Sequence, residues 1–495
     1  MKDILMNIKS KTTTKKNGIS RRTAIKGLGA ASVVSLFGKG TASAGQTSGE
    51  NIEAVNSKNT VRNIIFEKVN QTVFIDTHEH IVEEKSRLSG PQSRDDWTAL
   101  LRGYPNSDML TAGMSKNDCE KFFSSKVDSV TKWRLLEPYW PAIKNTGYLQ
   151  AVRISIKELY DIDQLSANTV GKLQSRYKRL QKPGFYNYVL KEKANIESCQ
   201  VNNIIPPFVP FVESQYPELL MQDLGTLHMI MGPEHKELIE PTGINVKELD
   251  DWHRVIDWWF NKYAKYAVAS KTQHAYYRDI DYQKVPTEKA SPIFKKVLGK
   301  EKVTPEEQKQ LEDHIFWYTA EKSTSFNLPV KIHTGYYAGQ DSMPLSRVAG
   351  NPGSATDLCR LGPNHRFVFM HICYPYYEQL IAVAKHYTNA YVDMCWSWII
   401  NPFAAKDFLK KYLVTAPANK ILTFGGDYGL VEQVVGHAAI ARWGITLALT
   451  ELVEERLLSL SDAIDLIDPI MHGNARQIFD LEKKTKAMRN VRWVS

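Results

Sequence analysis

The C-terminal half of this 495-residue chain alternates short apolar runs with longer amphipathic ones, and each short run ends in a polar or chemically unusual group. Pro329–His333, Arg366–His371, Ala390–Met394 and Lys420–Phe424 read as strands, with Tyr377–His386 and Phe403–Leu413 as helices between them. A charged helix precedes Pro329. It opens on Thr304-Pro305-Glu306-Glu307, with a capping hydroxyl, a proline at the first helical position and acids in the first turn, and it ends near Ser323. Strands that alternate with helices pair in parallel, because a parallel connection needs a crossover long enough to hold a helix. Their carboxyl ends then share one side, where His333-Thr334-Gly335, His371, Asp393 and Gly425-Gly426-Asp427 meet. An open doubly wound sheet places its sites the same way, so this rhythm alone leaves closure undecided.

In the N-terminal half, Val73–Asp76 is a first strand that leads into Thr77-His78-Glu79-His80. Segments near Ser198–Asn202 and Leu219–Leu224 supply a second and a third strand, and Tyr266–Thr272 a fourth after the amphipathic helix Val246–Tyr263. Between the first two strands, at about 85–193, lies a charged and largely helical stretch that includes Asp95–Leu101, Lys126–Leu136 and Thr169–Leu180. It reads as a helical insertion after strand 1. The aromatic run Trp252–Tyr266 reads as a helix packing face.

The formal charge of +9 points at first to an acidic partner, but its distribution argues otherwise. Residues 1–44 hold nine of the 63 Lys and Arg and one of the 54 acids, which leaves 54 basic and 53 acidic residues beyond them. No basic stripe interleaved with aromatics follows, so nucleic-acid binding loses its support. Ser20-Arg21-Arg22-Thr23-Ala24-Ile25-Lys26 is similar to a twin-arginine export motif, although Ala24 stands where a bulky apolar residue is usual. An apolar run, Gly27–Phe37, and the small residues Ala42-Ser43-Ala44 follow, as a cleaved signal requires. The expectation is a signal at 1–44, a flexible lead-in at 45–65 and a globular body at 66–485, periplasmic or secreted, with no membrane attachment after cleavage. Cys119, Cys199, Cys359, Cys373 and Cys395 are odd in number and scattered, and read as buried thiols.

His78-Glu79-His80 is the sharpest local signal. Side chains along a strand alternate with period two, so both imidazoles point to one side and can hold zinc or a similar divalent ion. By itself an HxH pair also arises by chance. Phe74–Ile81 resembles the first-strand motif of the amidohydrolase superfamily, Lys331–Gly335 its fifth-strand histidine, Phe369-Met370-His371 its sixth-strand histidine and Phe424–Asp427 its eighth-strand aspartate. Met471–Phe479 resembles the closing helix of the amidohydrolase-related branch, which contains hydrolases and decarboxylases. The resemblance runs from about Val73 to Leu481. It implies an α/β fold, a (β/α)8 TIM barrel with a helical insertion after strand 1.

The resemblance also implies metal ligands at His78, His80 and Asp427, with His333 a further ligand on the same or a neighbouring ion and Asp427 as general base. His371 is either a ligand to a second ion or a group that polarises the substrate carbonyl. Lys271 lies where relatives with two ions carry a bridging carbamylated lysine, and equally reads as a substrate-pairing or surface group. Arg278 and Tyr277 could bind a substrate carboxylate, as could Arg153 or Tyr337, and His274 could reach the mouth. The implied cofactor is one or two divalent ions, zinc first and manganese second. The implied reaction is hydrolysis of an amide, ester, lactone or related bond in a small molecule. Decarboxylation and uronate isomerisation on the same barrel are the alternatives, since the THEH start and the insertion are similar to those of uronate isomerases. A periplasmic binding protein without turnover is the third reading, and assembly into a homo-oligomer is compatible with all of them.

Overall fold

The computed structural model describes residues 49–339, 343–489 and 491–494. The chain divides into Met1–Asn59, described only from Gly49, and a compact body, Thr60–Ser495. The expected signal at 1–44 lies outside the described residues. Of the lead-in expected at 45–65, residues 45–48 also lie outside the described residues, and the rest falls in a helix that spans Gly49–Gln71. Its polar composition hides an i, i+4 stripe, Val61, Ile65 and Val69, of which the last two are fully buried.

Eight parallel strands follow in chain order: β1 (Phe74–Glu79), β2 (Ile196–Val201), β3 (Leu220–Gln222, continued as Leu224–Gly225), β4 (Ser270–Thr272), β5 (Val330–Ile332), β6 (Phe367–Met370), β7 (Ala390–Asp393) and β8 (Ile421–Leu422). Each pairs with its sequence neighbour. β3 is interrupted at Asp223, whose N–H still reaches the Val201 carbonyl at 2.8 Å. Closure runs through the segment after β8. The Thr77 N–H and hydroxyl both donate to the Phe424 carbonyl (3.0 and 2.8 Å), and the Asp427 N–H donates to the His78 carbonyl (2.8 Å). The sheet is therefore a barrel. β4 starts at Ser270 rather than Tyr266, because the N–H groups of Tyr266 and Ala267 turn back to the Tyr263 carbonyl.

The strand starts pack on Ala475, Ile478, Phe479 and Leu481, so the closing segment plugs the amino-terminal end of the barrel. One buried ammonium crosses the interior. Lys331 Nζ donates to the Thr77 carbonyl (2.7 Å), Gln200 Oε1 (2.6 Å) and both Asp223 oxygens (2.9 Å), tying β5 to β1, β2 and β3.

The expected insertion is present and helical, from Glu84 to Lys193, and it has its own core of Trp97, Phe122, Trp133, Leu149, Leu173 and Tyr177. Helix Gly147–Tyr160 docks it on helix Val434–Glu454. That second helix also carries Arg442. Its guanidinium lies over the Phe74 ring and donates to the carbonyls of Val69, Thr72, Ala194 and Asn195 at 2.6–3.3 Å. Truncation to methionine removes one donor from each of these four carbonyls, of which that of Asn195 keeps the Phe74 N–H. The Arg442→Met variant is expected to lose about 3 kcal/mol of stability, read as a lower urea midpoint with unchanged kinetics per folded molecule.

Candidate metal centre

The carboxyl ends of β1, β3, β4, β6 and β7, with the turn after β8, converge on one buried cluster. From β1, His78 and the following His80 point the same way, as period two requires. His80 Nδ1 lies 2.8 Å from the Asn202 carbonyl, so that nitrogen carries the proton and Nε2 the lone pair. His78 Nδ1 faces Asp223 at 3.7 Å, which orients this ring in the same sense. Both Nε2 atoms lie 3.2 Å from Asp427 Oδ1 and 3.3 Å from each other.

Three acceptor atoms so close require a proton on the rings or a cation among them. Burial pushes the His78 imidazole toward its neutral form, against the pull of Asp223 and Asp427. Burial also works against the Asp427 carboxylate, but His78 and His80, with His371 behind them, hold its pKa well below the usual range. The set is thus two imidazoles and an ionised carboxylate. Atoms bound to one tetrahedral zinc at about 2.0–2.1 Å lie about 3.3–3.4 Å apart, and the observed separations fit that edge.

The sequence around Asp427 builds the turn that presents it. A Cβ on Gly426 would fall 1.9 Å from Glu79 Oε1, and one on Gly425 2.8 Å from Cys395 Cβ, so neither position admits a side chain. Asp427 has φ 64°, and the residues after β6 and β7 are also left-handed: His371 at 61°, Ile372 at 51°, Cys373 at 52° and Trp396 at 65°. Conformations that disfavour L-residues thus gather at the mouth, where surrounding contacts hold them. Asp76 Oδ1 accepts from the N–H groups of His78 (3.1 Å) and Gly426 (3.2 Å), joining the two ligand-bearing segments.

His371 is fully buried beside Asp427. Its Nδ1 lies 2.9 Å from the Cys395 carbonyl, its Nε2 has no hydrogen-bond partner, and burial, against Asp427, holds its pKa down to about 3. Lys271 lies within this electrostatic cluster at the end of β4. Burial, against the attraction of Asp427, lowers its ammonium to about 8.

His333, expected as a fourth ligand, does not join the converging atoms. Its Nε2 lies 3.1 Å from the Tyr336 carbonyl, and its ring rests 4.4 Å from that of His371 and 4.6 Å from that of Tyr276. Among the described residues the close ligand groups are His78/His80/Asp427 and His371/Cys395/Asp427, and His333 is in neither.

Arg278 is engaged within the protein. Its guanidinium is held by Asp281 (3.0 Å), Asp313 (2.8 Å) and Glu312 (3.3 Å), so acids of the chain occupy its fork. His274 is buried with this network, 2.9 Å from the Tyr282 hydroxyl. Arg153 donates to the Lys144 carbonyl inside the insertion, and Tyr277 is exposed.

Sequence reasoning missed Tyr104. It comes from the insertion, and its hydroxyl sits 2.5 Å from both Asp427 Oδ2 and the Asp427 carbonyl. Its ring stacks on Trp396 (4.7 Å) and Tyr148 (5.2 Å). Gly103 immediately before it, at φ 78°, was the one local cue to a constrained turn. Removal of that hydroxyl is expected to cost a charge-assisted hydrogen bond, about 1.5–3 kcal/mol. The Tyr104→Phe variant should fold normally and lose about 10- to 100-fold in kcat, which steady-state kinetics would show.

The comparisons with known proteins follow this geometry. Residues 300–481 match the amidohydrolase family model. That segment carries β5 to β8, His371, Asp427 and the closing helix. Uronate isomerase from Thermotoga maritima superposes with a TM-score of 0.68 at 14% identity, covering 85% of this chain and 97% of its own. Glucuronate isomerase from Caulobacter crescentus gives 0.69 at 16%, covering 88% and 96%. A uronate isomerase from Bacillus halodurans gives 0.58 at 12%, covering 88% and 99%. No curated protein matches by sequence. The fold is therefore the TIM barrel that the resemblance implied, and the chain is similar to the amidohydrolase family over residues 300–481.

Proposed function

We propose that the chain is a metal-dependent hydrolase of small molecules, with one divalent ion, zinc before manganese, held by His78, His80 and Asp427. The observation that carries this reading is the set of three ligand atoms 3.2–3.3 Å apart, with the tautomer of His80 fixed so that its lone pair points inward. A divalent ion there supplies Lewis acidity, which acidifies water toward neutrality and polarises a substrate carbonyl. Asp427 then acts as the proton acceptor, and Tyr104 holds its second oxygen in place. His371 is a neutral group beside it. The rings of Tyr104, Trp396 and Tyr148 wall the cluster and lower its dielectric.

Isomerisation of a sugar acid is the second reading. It is supported by the fold of the uronate isomerases, whose matched shares of 85% and 88% of this chain are too large to be reached without part of the insertion. Metal analysis of the purified protein, with chelation and readdition of zinc or manganese, tests the ion. A parallel screen for ester, amide and lactone cleavage, ketose formation and carbon dioxide release tests the reaction. Metal-dependent cleavage supports the hydrolase, whereas ketose formation alone replaces it with the isomerase. Binding without turnover returns the reading to a binding protein.

Export through the twin-arginine route belongs to the same reading, because that route carries proteins folded with their cofactors. Fractionation should place a shorter mature chain in the periplasm or medium, and a Lys pair at Arg21 and Arg22 should retain it inside. No described helix is long and apolar enough to cross a membrane.

A further inference from the structure

Helix Leu249–Tyr263, which follows β3, and helix Pro305–Ser325, which precedes β5, meet through a pair of histidines. His253 Nε2 and His314 Nε2 lie 3.1 Å apart. Both rings are largely withdrawn from solvent, with His314 8% exposed and the His253 side chain 13%. The pair shares no residue with the cluster around Asp427.

The remaining nitrogen of each ring faces an oxygen. His314 Nδ1 lies 2.8 Å from the Val285 carbonyl, so it carries the proton and leaves the lone pair on Nε2. His253 Nδ1 faces Asp250 Oδ1 at 3.7 Å, which orients this ring in the same sense. Two lone pairs then point at each other. A proton on either Nε2 relieves that contact only by turning a lone pair toward the Val285 or Asp250 oxygen, or by charging a ring. Burial, and then the neighbouring His314, hold the His253 imidazole down to about 4, against the pull of Asp250 and Asp257, so His253 is neutral near pH 7. Its direction is fixed as well. The ring stacks on Tyr318 with centroids 3.9 Å apart, and the Tyr318 hydroxyl donates to Asp257 Oδ1 at 2.9 Å, an oxygen that Lys322 also holds at 2.7 Å.

We propose that His253 and His314 hold a divalent transition-metal ion that clips the two helices together, with water in its remaining positions. Nitrogens bound at about 2.0–2.1 Å lie about 3.3–3.4 Å apart around a tetrahedral ion and about 2.8–3.0 Å apart around a square one. The observed separation falls between the two. Imidazole suits copper(II), nickel(II) and zinc, whereas magnesium and calcium prefer oxygen ligands. Both rings ligate as neutral imidazoles with Nδ1 protonated, so binding releases no proton. The ligands come from different helices and lie together only in the folded chain, so the ion stabilises that state. The clip is independent of the reaction assigned to the barrel mouth.

The test is a copper(II) titration of the full-length protein beside its His253→Gln and His314→Gln variants. Wild type is expected to bind one more ion per chain than either variant, and copper should raise its urea midpoint by more. Ascorbate oxidation of the copper-loaded wild type, mapped by mass spectrometry, should mark His253 and His314. Equal ion counts in the three proteins would overturn the clip and leave a proton shared between the rings. If the variants fail to fold, the mapping decides alone, and the absence of oxidation at both histidines overturns the clip.

Discussion

The Asp427→Asn variant is expected to fold and to lose about 10³-fold in kcat. Folding should survive because asparagine tolerates the left-handed conformation at φ 64° as well as aspartate does. The backbone N–H would still donate to the His78 carbonyl, and the amide oxygen can still accept from Tyr104. What disappears is the negative charge between the His78 and His80 rings, and with it the proton acceptor. Affinity for zinc should also fall, which a chelator competition would measure independently of turnover. Wild-type kcat in this variant would remove Asp427 from the chemistry.

The Gly436→Ala variant is expected to lose about 3 kcal/mol of stability or more. An added Cβ would lie 1.8 Å from the Ala151 carbonyl oxygen and 2.6 Å from its carbon. Both atoms are backbone, so no rotamer change relieves the clash. The helix from the insertion and the helix behind β8 must move apart. Because the same insertion carries Tyr104, activity should fall together with the cooperative unfolding midpoint. A guanidinium titration followed by circular dichroism, with kinetics at a temperature where the variant is folded, would show both effects. A midpoint equal to that of wild type would mean that the two helices do not approach as closely as the structure shows.

The first and last barrel segments were the most legible. His78 and His80 stand out because strand periodicity makes a local spacing into a shared direction. The Gly-Gly-Asp turn stands out because two positions without room for a Cβ precede an acid. His371 was equally visible at its strand end, but its partner Cys395 was not. A single cysteine among five carries no spacing signal, and its approach to His371 is a consequence of β6 lying beside β7. His333 illustrates the opposite limit. Its position at the end of β5 was read correctly, yet the Tyr336 carbonyl captures its Nε2, and no pattern along the chain reports where a carbonyl three residues later will point. The ion pairs of Arg278 were hidden for a similar reason, since its acidic partners Glu312 and Asp313 lie more than thirty residues away on a helix the sequence predicted well.

The order of strands and helices, the insertion after β1 and the identity of the histidine pair were determined by the sequence itself. Periodicity, caps and breakers act over a few residues and leave their mark in the chain. Closure of the barrel, the placement of Tyr104 on Asp427 and the choice of which ring nitrogens keep a free lone pair were decided only by the tertiary structure. Those depend on contacts across hundreds of residues, such as Thr77 with Phe424, whose energies belong to the assembled fold and to no local segment.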